Sequence, residues 1–285
     1  MDIVFGRTRY DYQSYTDYWR LVELAGFETI WLDELEPGRD ALYIVSPKNG
    51  EWGAGNDRDF LVIPLRLQGH HQCKVIWWCL ERPDNTGTIT HGAPLCEGFD
   101  QLWLSDRWLA QLEGWPRYPK AQFVPMGSDE RLANPICMDS VHRYLWTHMS
   151  YANPRRLGIY DRLPGPVAPN AWGYERDAIL GSTRFMVNVH QDDHLVCEPL
   201  RFALASAWAM PVLSEKCQDA SPYEPTQFEY SRMVAEAKRP LLSNSNTERA
   251  IWRQIGERNW DIGCVQFPFQ RCVETAVSSF LHWSQ

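Results

Sequence analysis

The stretch from Arg184 to Glu215, RFMVNVHQDDHLVCEPLRFALASAWAMPVLSE, restricts the fold more than any other part of the chain. Phe185–Val189 is a short apolar run, the pattern of a strand covered on both faces. A polar loop, His190–His194, follows. From Glu198 the spacing predicts an amphipathic helix, with Leu200, Ala203, Leu204, Ala207 and Trp208 on one side. Pro199 is tolerated in its first turn, where the backbone N–H has no helical acceptor. Met210–Ser214 then reads as a second strand. Strand, helix and strand predict a βαβ unit, and ligands of such sheets gather at the carboxyl ends of the strands. Asn188, His190, Glu198 and Glu215 fall at those ends, so the active site is expected there.

The rest of the chain repeats the alternation. Asp2–Gly6, Glu28–Leu32, Asp40–Ser46, Lys74–Leu80, Gly98–Ser105 and Ala121–Gly127 read as strands. Helices are expected over Tyr15–Ala25, ended by Gly26, and over Asp106–Leu112. Lys48–Asp59 reads as a loop, and Phe60–Leu67 as a short element broken by Pro64. Ser128–Asp139 lacks periodicity and reads as a linker. Beyond it come a strand over Val141–Tyr151 and helices over Pro154–Leu163 and Gly173–Gly181. After the central unit, a loop over Lys216–Thr226 leads to helices Phe228–Lys238, Asn246–Glu257 and Phe269–Trp283. This order predicts an α/β protein of two Rossmann-like domains, residues 1–132 and 133–285, facing a cleft, with a helical C-terminus.

Composition narrows the function. A net charge of −8 excludes a wholly basic surface and disfavours DNA as a partner. The eight cysteines form no C-x-x-C pair, so reduced thiols in a cytoplasmic protein are expected rather than a zinc ribbon or a disulfide framework. The N-terminus reads as a strand rather than a signal peptide, and no apolar run approaches the roughly 18 residues of a membrane span. The phosphate loop of kinases, the nucleophile elbow of α/β-hydrolases and the dinucleotide fingerprint of dehydrogenases are all missing from the sequence. The His190–His194 loop holds metal-ligand residue types but matches no closed zinc spacing. It is expected to line a pocket, with no metal and no permanently bound cofactor.

Several strings, in order, resemble glycosyltransferases of the GT-B architecture. They are Trp77–Pro83, Phe99–Asp106 and Phe123–Gly127, then Arg155-Arg156, Asn170–Asp177, Val187–His190, Glu198–Arg201 and Pro211–Glu215. The resemblance implies transfer of a sugar from a nucleotide-diphosphate sugar, a co-substrate bound by the second half, to an acceptor bound by the first. It places the family's donor-site acid on Glu198 and the donor contacts among Arg156, Asn188, His190, Arg201, Ser214 and Glu215. The chain departs from many relatives at Phe202–Ala207, where no second acid stands in the helix. The ribose-binding carboxylate is therefore missing or supplied elsewhere, with Glu215 as the candidate.

The chemistry sets its own demands. A leaving nucleoside diphosphate needs cations or helix N-terminal amides. Arg155, Arg156, Arg176 and Arg201 are the candidate cations, and Arg156 and Arg201 adjoin strand-end loops. Each could instead be a surface ion pair. An inverting reaction needs a general base on the acceptor. Asp11, Asp17, Glu81, Asp84 and His91 are available, and Glu81 is preferred because it follows a strong strand; a retaining reaction needs no such base there. The acceptor is a glycan, a small molecule or a hydroxylated base in viral DNA, the last requiring a groove from Arg7, Arg9, Lys48, Arg58 and Arg66. The alternative is a non-catalytic protein of the same fold that binds nucleotide sugars or glycans.

Overall fold

The computed structural model describes residues 1–7, 15–46, 72–80, 99–107, 121–133, 144–148, 153–163, 167–168, 171–190, 197–223, 226–228 and 246–283. Strands β1 (Asp2–Arg7), β2 (Glu28–Trp31), β3 (Ala41–Val45), β4 (Lys74–Cys79), β5 (Gln101–Leu104) and β6 (Ala121–Phe123) form one sheet, in the order β2-β1-β3-β4-β5-β6. Every pairing in it is parallel. Successive side chains of a strand point to opposite faces, and both faces of a parallel sheet must be covered. Phe5, Leu42, Ile44, Ile76, Trp78 and Trp103 accordingly enter one apolar cluster. Their strand neighbours Val4, Tyr43, Val45, Val75, Trp77 and Leu102 enter another. Helix α1 (Thr16–Leu24) lays Tyr18, Trp19, Leu21 and Val22 on the first of these faces. It stops short of Gly26, whose φ of +75° suits a residue without a Cβ.

The second sheet holds β7 (Tyr144–Thr147), β8 (Thr183–Asn188), β9 (Val212–Glu215) and β10 (Thr226–Phe228), ordered β10-β9-β8-β7 and again parallel. Helices α2 (Pro154–Tyr160) and α3 (Tyr174–Gly181) lie between β7 and β8 in the chain. Helix α4 (Pro199–Ala207) links β8 to β9 and completes the expected βαβ unit. Strand β10 is a correction: the sequence reads as loop up to Thr226 and as helix from Phe228, yet these residues extend the sheet beside β9. Three residues are too few to show a period, and pairing with β9 decides their state. Residues 229–238, 48–59, 60–67 and 108–112 lie outside the described residues.

Helix α5 (Asn246–Trp260), a π-helical turn (Asp261–Gln266) and helix α6 (Phe269–Trp283) end the described chain. Although last in sequence, α6 packs on α1 and on the first sheet, where Phe269 stacks on Trp78 with centroids 5.7 Å apart and planes 12° from parallel. The cluster that covers this face also contains Met186, Phe202 and Val212 of the second half and Val273 and Phe280 of α6. One apolar core therefore runs from sheet to sheet. Ser128 sits at the crossing. Its N–H donates to the Gly263 and Phe267 carbonyls, its carbonyl accepts from Phe269 N–H, and its hydroxyl donates to the Ala203 carbonyl at 2.6 Å. Beside it, a Cβ on Gly127 would lie 2.2 Å from the Phe267 carbonyl oxygen.

Where α1 meets α3 the contact is ionic. Arg20 donates to both oxygens of Asp177 at 3.0 and 2.8 Å, to Asp17 at 3.1 Å and to the Leu132 carbonyl at 3.1 Å. Arg176 donates to the other oxygen of Asp17 at 2.6 Å and to the Ala171 carbonyl. Tyr174 covers the Arg20 guanidinium and Trp172 that of Arg176. All four charged side chains are buried. No helix among the described residues is long and apolar enough to cross a membrane.

Two stability effects are expected in urea denaturation. Gly127→Ala should cost about 1–3 kcal/mol, because its Cβ meets backbone rather than a side chain that can turn away. Asp177→Ala strands Arg20 in the junction and should cost about 3–5 kcal/mol.

Candidate functional site

Seven of the expected site residues, all but Glu81, converge where β8 and β9 end and α4 begins. Glu198 stands at the N-terminal end of α4 but caps no backbone amide. Its carboxylate is shared by two arginines instead. Oε1 accepts from Arg156 Nη2 at 3.3 Å, and Oε2 accepts from Arg201 Nη1 in a very short contact. Arg201 Nη1 also donates to Asn188 Oδ1 at 2.5 Å. Asn188 Nδ2 donates to Ser214 Oγ at 2.9 Å, and that hydroxyl donates to the Glu215 carbonyl at 2.7 Å. Asn188 and Ser214 are register partners on neighbouring strands, which explains their contact.

Arg155 and Arg156 reach the site from the first turn of α2, whose N-cap Asn153 accepts from Arg156 N–H at 2.8 Å. Arg155 grips Glu215 with both terminal nitrogens, at 2.9 and 2.7 Å, and Glu215 Oε2 also accepts from His190 N–H at 2.7 Å. Both carboxylate oxygens of Glu215 thus hold the ends of β8 and α2 together. Arg156 Nε donates to the Val189 carbonyl at 3.0 Å. The first half enters here too, as Asp106 Oδ2 accepts from Cys197 N–H at 2.7 Å.

Burial and like charges act on the arginines of the site. Burial works against the Arg156 charge, and the neighbouring Arg201 and Arg155 charges oppose it further, so its pKa falls below the usual guanidinium value. Burial lowers Arg176 to about 10, with Arg201 and Arg20 adding repulsion that Asp17 and Asp177 only partly offset. Arg176 Nη2 is buried without a hydrogen-bond partner. Arg156 and Arg201 share the carboxylate of Glu198, which brings two guanidinium groups to the start of α4.

His190 is buried, with Nε2 3.2 Å from the Lys216 carbonyl and Nδ1 4.0 Å from Glu198. Burial disfavours its protonation, but a hydrogen bond with Cys217 and the Glu198, Cys217 and Glu215 charges outweigh it and raise the pKa. Cys217 shifts the other way. Hydrogen bonds with Cys197, then with His190 and Ser214, pull its thiol below the usual range despite burial. Burial and the adjoining Cys217 push Cys197 up. Sequence reading took both as scattered thiols, and no motif spacing marks them as neighbours.

Other candidates resolve differently. Asp17 spends both oxygens on Arg20 and Arg176 and is fully buried, so it offers no open base. Arg7 lies against the Trp19 and Trp31 rings and near Glu23, turned to its own chain. Glu81, Asp11, Asp84, His91, Arg9, Lys48, Arg58, Arg66 and residues 191–194 lie outside the described residues. Among the described residues, no group of three or more His, Cys, Asp or Glu side chains is arranged to hold a metal.

No protein-family model matches the sequence, and no curated protein does either. Solved structures do match in fold. The α,α-trehalose 6-phosphate synthase of Burkholderia multivorans is 12% identical with a TM-score of 0.57, over 97% of this chain and 79% of that one. OtsA is 10% identical with a TM-score of 0.56, over 94% and 77%. TarM is 10% identical with a TM-score of 0.54, over 93% of this chain. All three are GT-B glycosyltransferases. The fold is GT-B. The expected architecture therefore holds as a fold, and the parallel βαβ unit that carries Glu198 belongs to it. The chain spans 57% of the length of TarM.

Glu215→Gln keeps the shape of the junction and removes the charge that Arg155 holds. With Arg155 partly open to water, the expected loss is about 1–3 kcal/mol, read as a lowered urea midpoint.

Proposed function

We propose that the chain is a glycosyltransferase that takes its sugar from a nucleotide-diphosphate donor. The observation that carries this reading is the sharing of Glu198 by Arg156 and Arg201, which sets two guanidinium groups at the N-terminal end of α4. A diphosphate is the anion that such a pair suits, since guanidinium groups make two-pronged contacts with phosphate oxygens and the first-turn amides of a helix add to the attraction. In the reaction the bond between the anomeric carbon and the diphosphate oxygen breaks, and a new bond forms to an acceptor oxygen. The nucleoside diphosphate leaves with the bonding electrons, and the arginines stabilise the charge that develops on it. Glu198 orients both arginines and lies beside the sugar. Asn188 and Ser214 fix Arg201, while Arg155 and Glu215 fix the strand ends. Glu81 remains the proposed base for an acceptor held by the first half.

One observation favours a second reading. Residues 202–207 of α4 are buried and carry no acid, and Glu215 has both oxygens engaged, so neither α4 nor Glu215 offers an open carboxylate to a ribose among the described residues. A protein that binds the nucleotide sugar without turnover would tolerate this.

A thermal-shift screen against nucleoside diphosphates and nucleotide sugars tests the site. A ligand at 100 times its dissociation constant should add about 2.7 kcal/mol of stability. Arg201→Ala should weaken that ligand by roughly tenfold or more. Lack of any stabilising nucleotide would overturn the donor site. Binding without release of nucleoside diphosphate, over a panel of glycan and small-molecule acceptors, would favour the second reading.

A further inference from the structure

A cavity of about 490 Å³ opens where the segment after β6 meets the last helices of the chain, and it falls within the size range of small-molecule sites. Asp129, Glu130 and Arg131 form one wall. Trp260 at the end of α5, with Val265 and Pro268 at the π-helical turn, forms the other. Ser128 also lines the cavity, but its N–H and hydroxyl are both spent within the protein and it offers no free donor. None of these residues belongs to the cluster around Glu198. Arg131 Nη2 donates to the Leu24 carbonyl at 2.6 Å, at the opposite end of α1 from Asp17 and the ionic junction. Turns of π-helix recur at functional sites, and here one supplies part of the lining.

The groups left open define the ligand. Asp129 is taken up by Arg131, whose backbone N–H, Nε and Nη2 all donate to its carboxylate. Among the described residues, the Glu130 carboxylate makes no hydrogen bond or ion pair, and Nη1 of Arg131 makes no hydrogen bond. The Trp260 indole likewise has neither a ring contact nor a hydrogen bond among them. Cys264 completes the lining as a neutral group, since burial pushes its thiol up to about 12.

The cavity therefore presents a carboxylate acceptor, a guanidinium donor, an indole N–H and an apolar face made by Trp260, Val265 and Pro268. Two carboxylates against one guanidinium disfavour an anion, and the guanidinium itself disfavours a cation. A neutral molecule with hydroxyls around its edge and C–H bonds on its face satisfies the whole set. A pyranose ring has that form: neighbouring hydroxyls donate to Glu130 and accept from Arg131, while the ring lies on the indole. We propose that this cavity is a binding site for a neutral carbohydrate, separate from the donor site. Its walls come from residues 129–131 and 260–268, so a sugar held there also bridges the two segments that meet at Ser128.

The test is independent of sugar transfer, because no nucleotide is present. Glucose, galactose, mannose and maltose are each titrated against the full chain and read by saturation-transfer NMR, with glucuronate as the charged counterpart. The expected result is transfer from the protein to the C–H protons of at least one neutral sugar, and weaker binding of glucuronate. Glu130 is exposed, so Glu130→Gln keeps the fold, and it should weaken the bound sugar about tenfold. Trp260→Ala removes the stacking face and should abolish the signal. Arg201→Ala, in the donor site, should leave the affinity for the free sugar unchanged. Three results overturn the proposal. One is no transfer to any of the four neutral sugars. Another is equal affinity in Glu130→Gln and the unmutated protein, or equal affinity for glucuronate and glucose. The third is loss of binding in Arg201→Ala, which puts the sugar in the donor site instead.

Discussion

Charge taken out of water must find a partner inside the protein, and this requirement shapes both ends of the contact between the two halves. At the α1–α3 contact it is met almost in full. Asp17 and Asp177 receive four hydrogen bonds from Arg20 and Arg176, under a cover of aromatic rings. Among the described residues, Nη2 of Arg176 is buried there without a hydrogen bond. Such a junction adds little net stability compared with an apolar one, but it fixes which residues must face one another. Around it the shared apolar core supplies the area, and the ionic contacts supply the register.

At the ends of β8 and β9 the charged groups are tied to the strands instead. The ends of β8 and β9 present hydrogen-bonding groups that continue the ladder of the sheet through side chains, from Asn188 to Ser214 to the Glu215 carbonyl. This makes Arg201 a rigid donor rather than a mobile surface cation. Arg156 is held as firmly by the Val189 carbonyl. Two immobilised guanidinium groups around one carboxylate resemble a lock already cut for an anion, since little side-chain freedom is left to lose on binding.

Much of this was legible in the sequence. The apolar runs of β1, β3, β4 and β8 and the amphipathic α4 each declared their state, because burial of both sheet faces leaves a continuous apolar signal. Helix α6 matches its expected bounds, Phe269–Trp283, for the same reason of strong periodicity. The polar residues at the strand ends were legible because a βαβ unit fixes where such ends fall. Their partners were not. Arg155 finds Glu215 sixty residues away, and Asp106 finds the Cys197 amide without any motif, since these contacts depend on strand order and helix rotation that periodicity does not encode. The short β10 and the π-helical turn escaped for another reason. Each is defined by a neighbour, β9 in one case and Ser128 in the other, rather than by a pattern of its own.

The return of α6 to the first sheet has a consequence for synthesis on the ribosome. The chain emerges N-terminus first, so the first sheet and α1 are made long before their last covering element. Until residues 269–283 are released, Trp78 lacks the Phe269 ring that stacks on it, and the face that carries Tyr18 stays open to water. The first sheet therefore completes its packing only after residues 269–283 have been made. In that interval a nascent chain exposes the aromatic surface that chaperones recognise and that drives premature association.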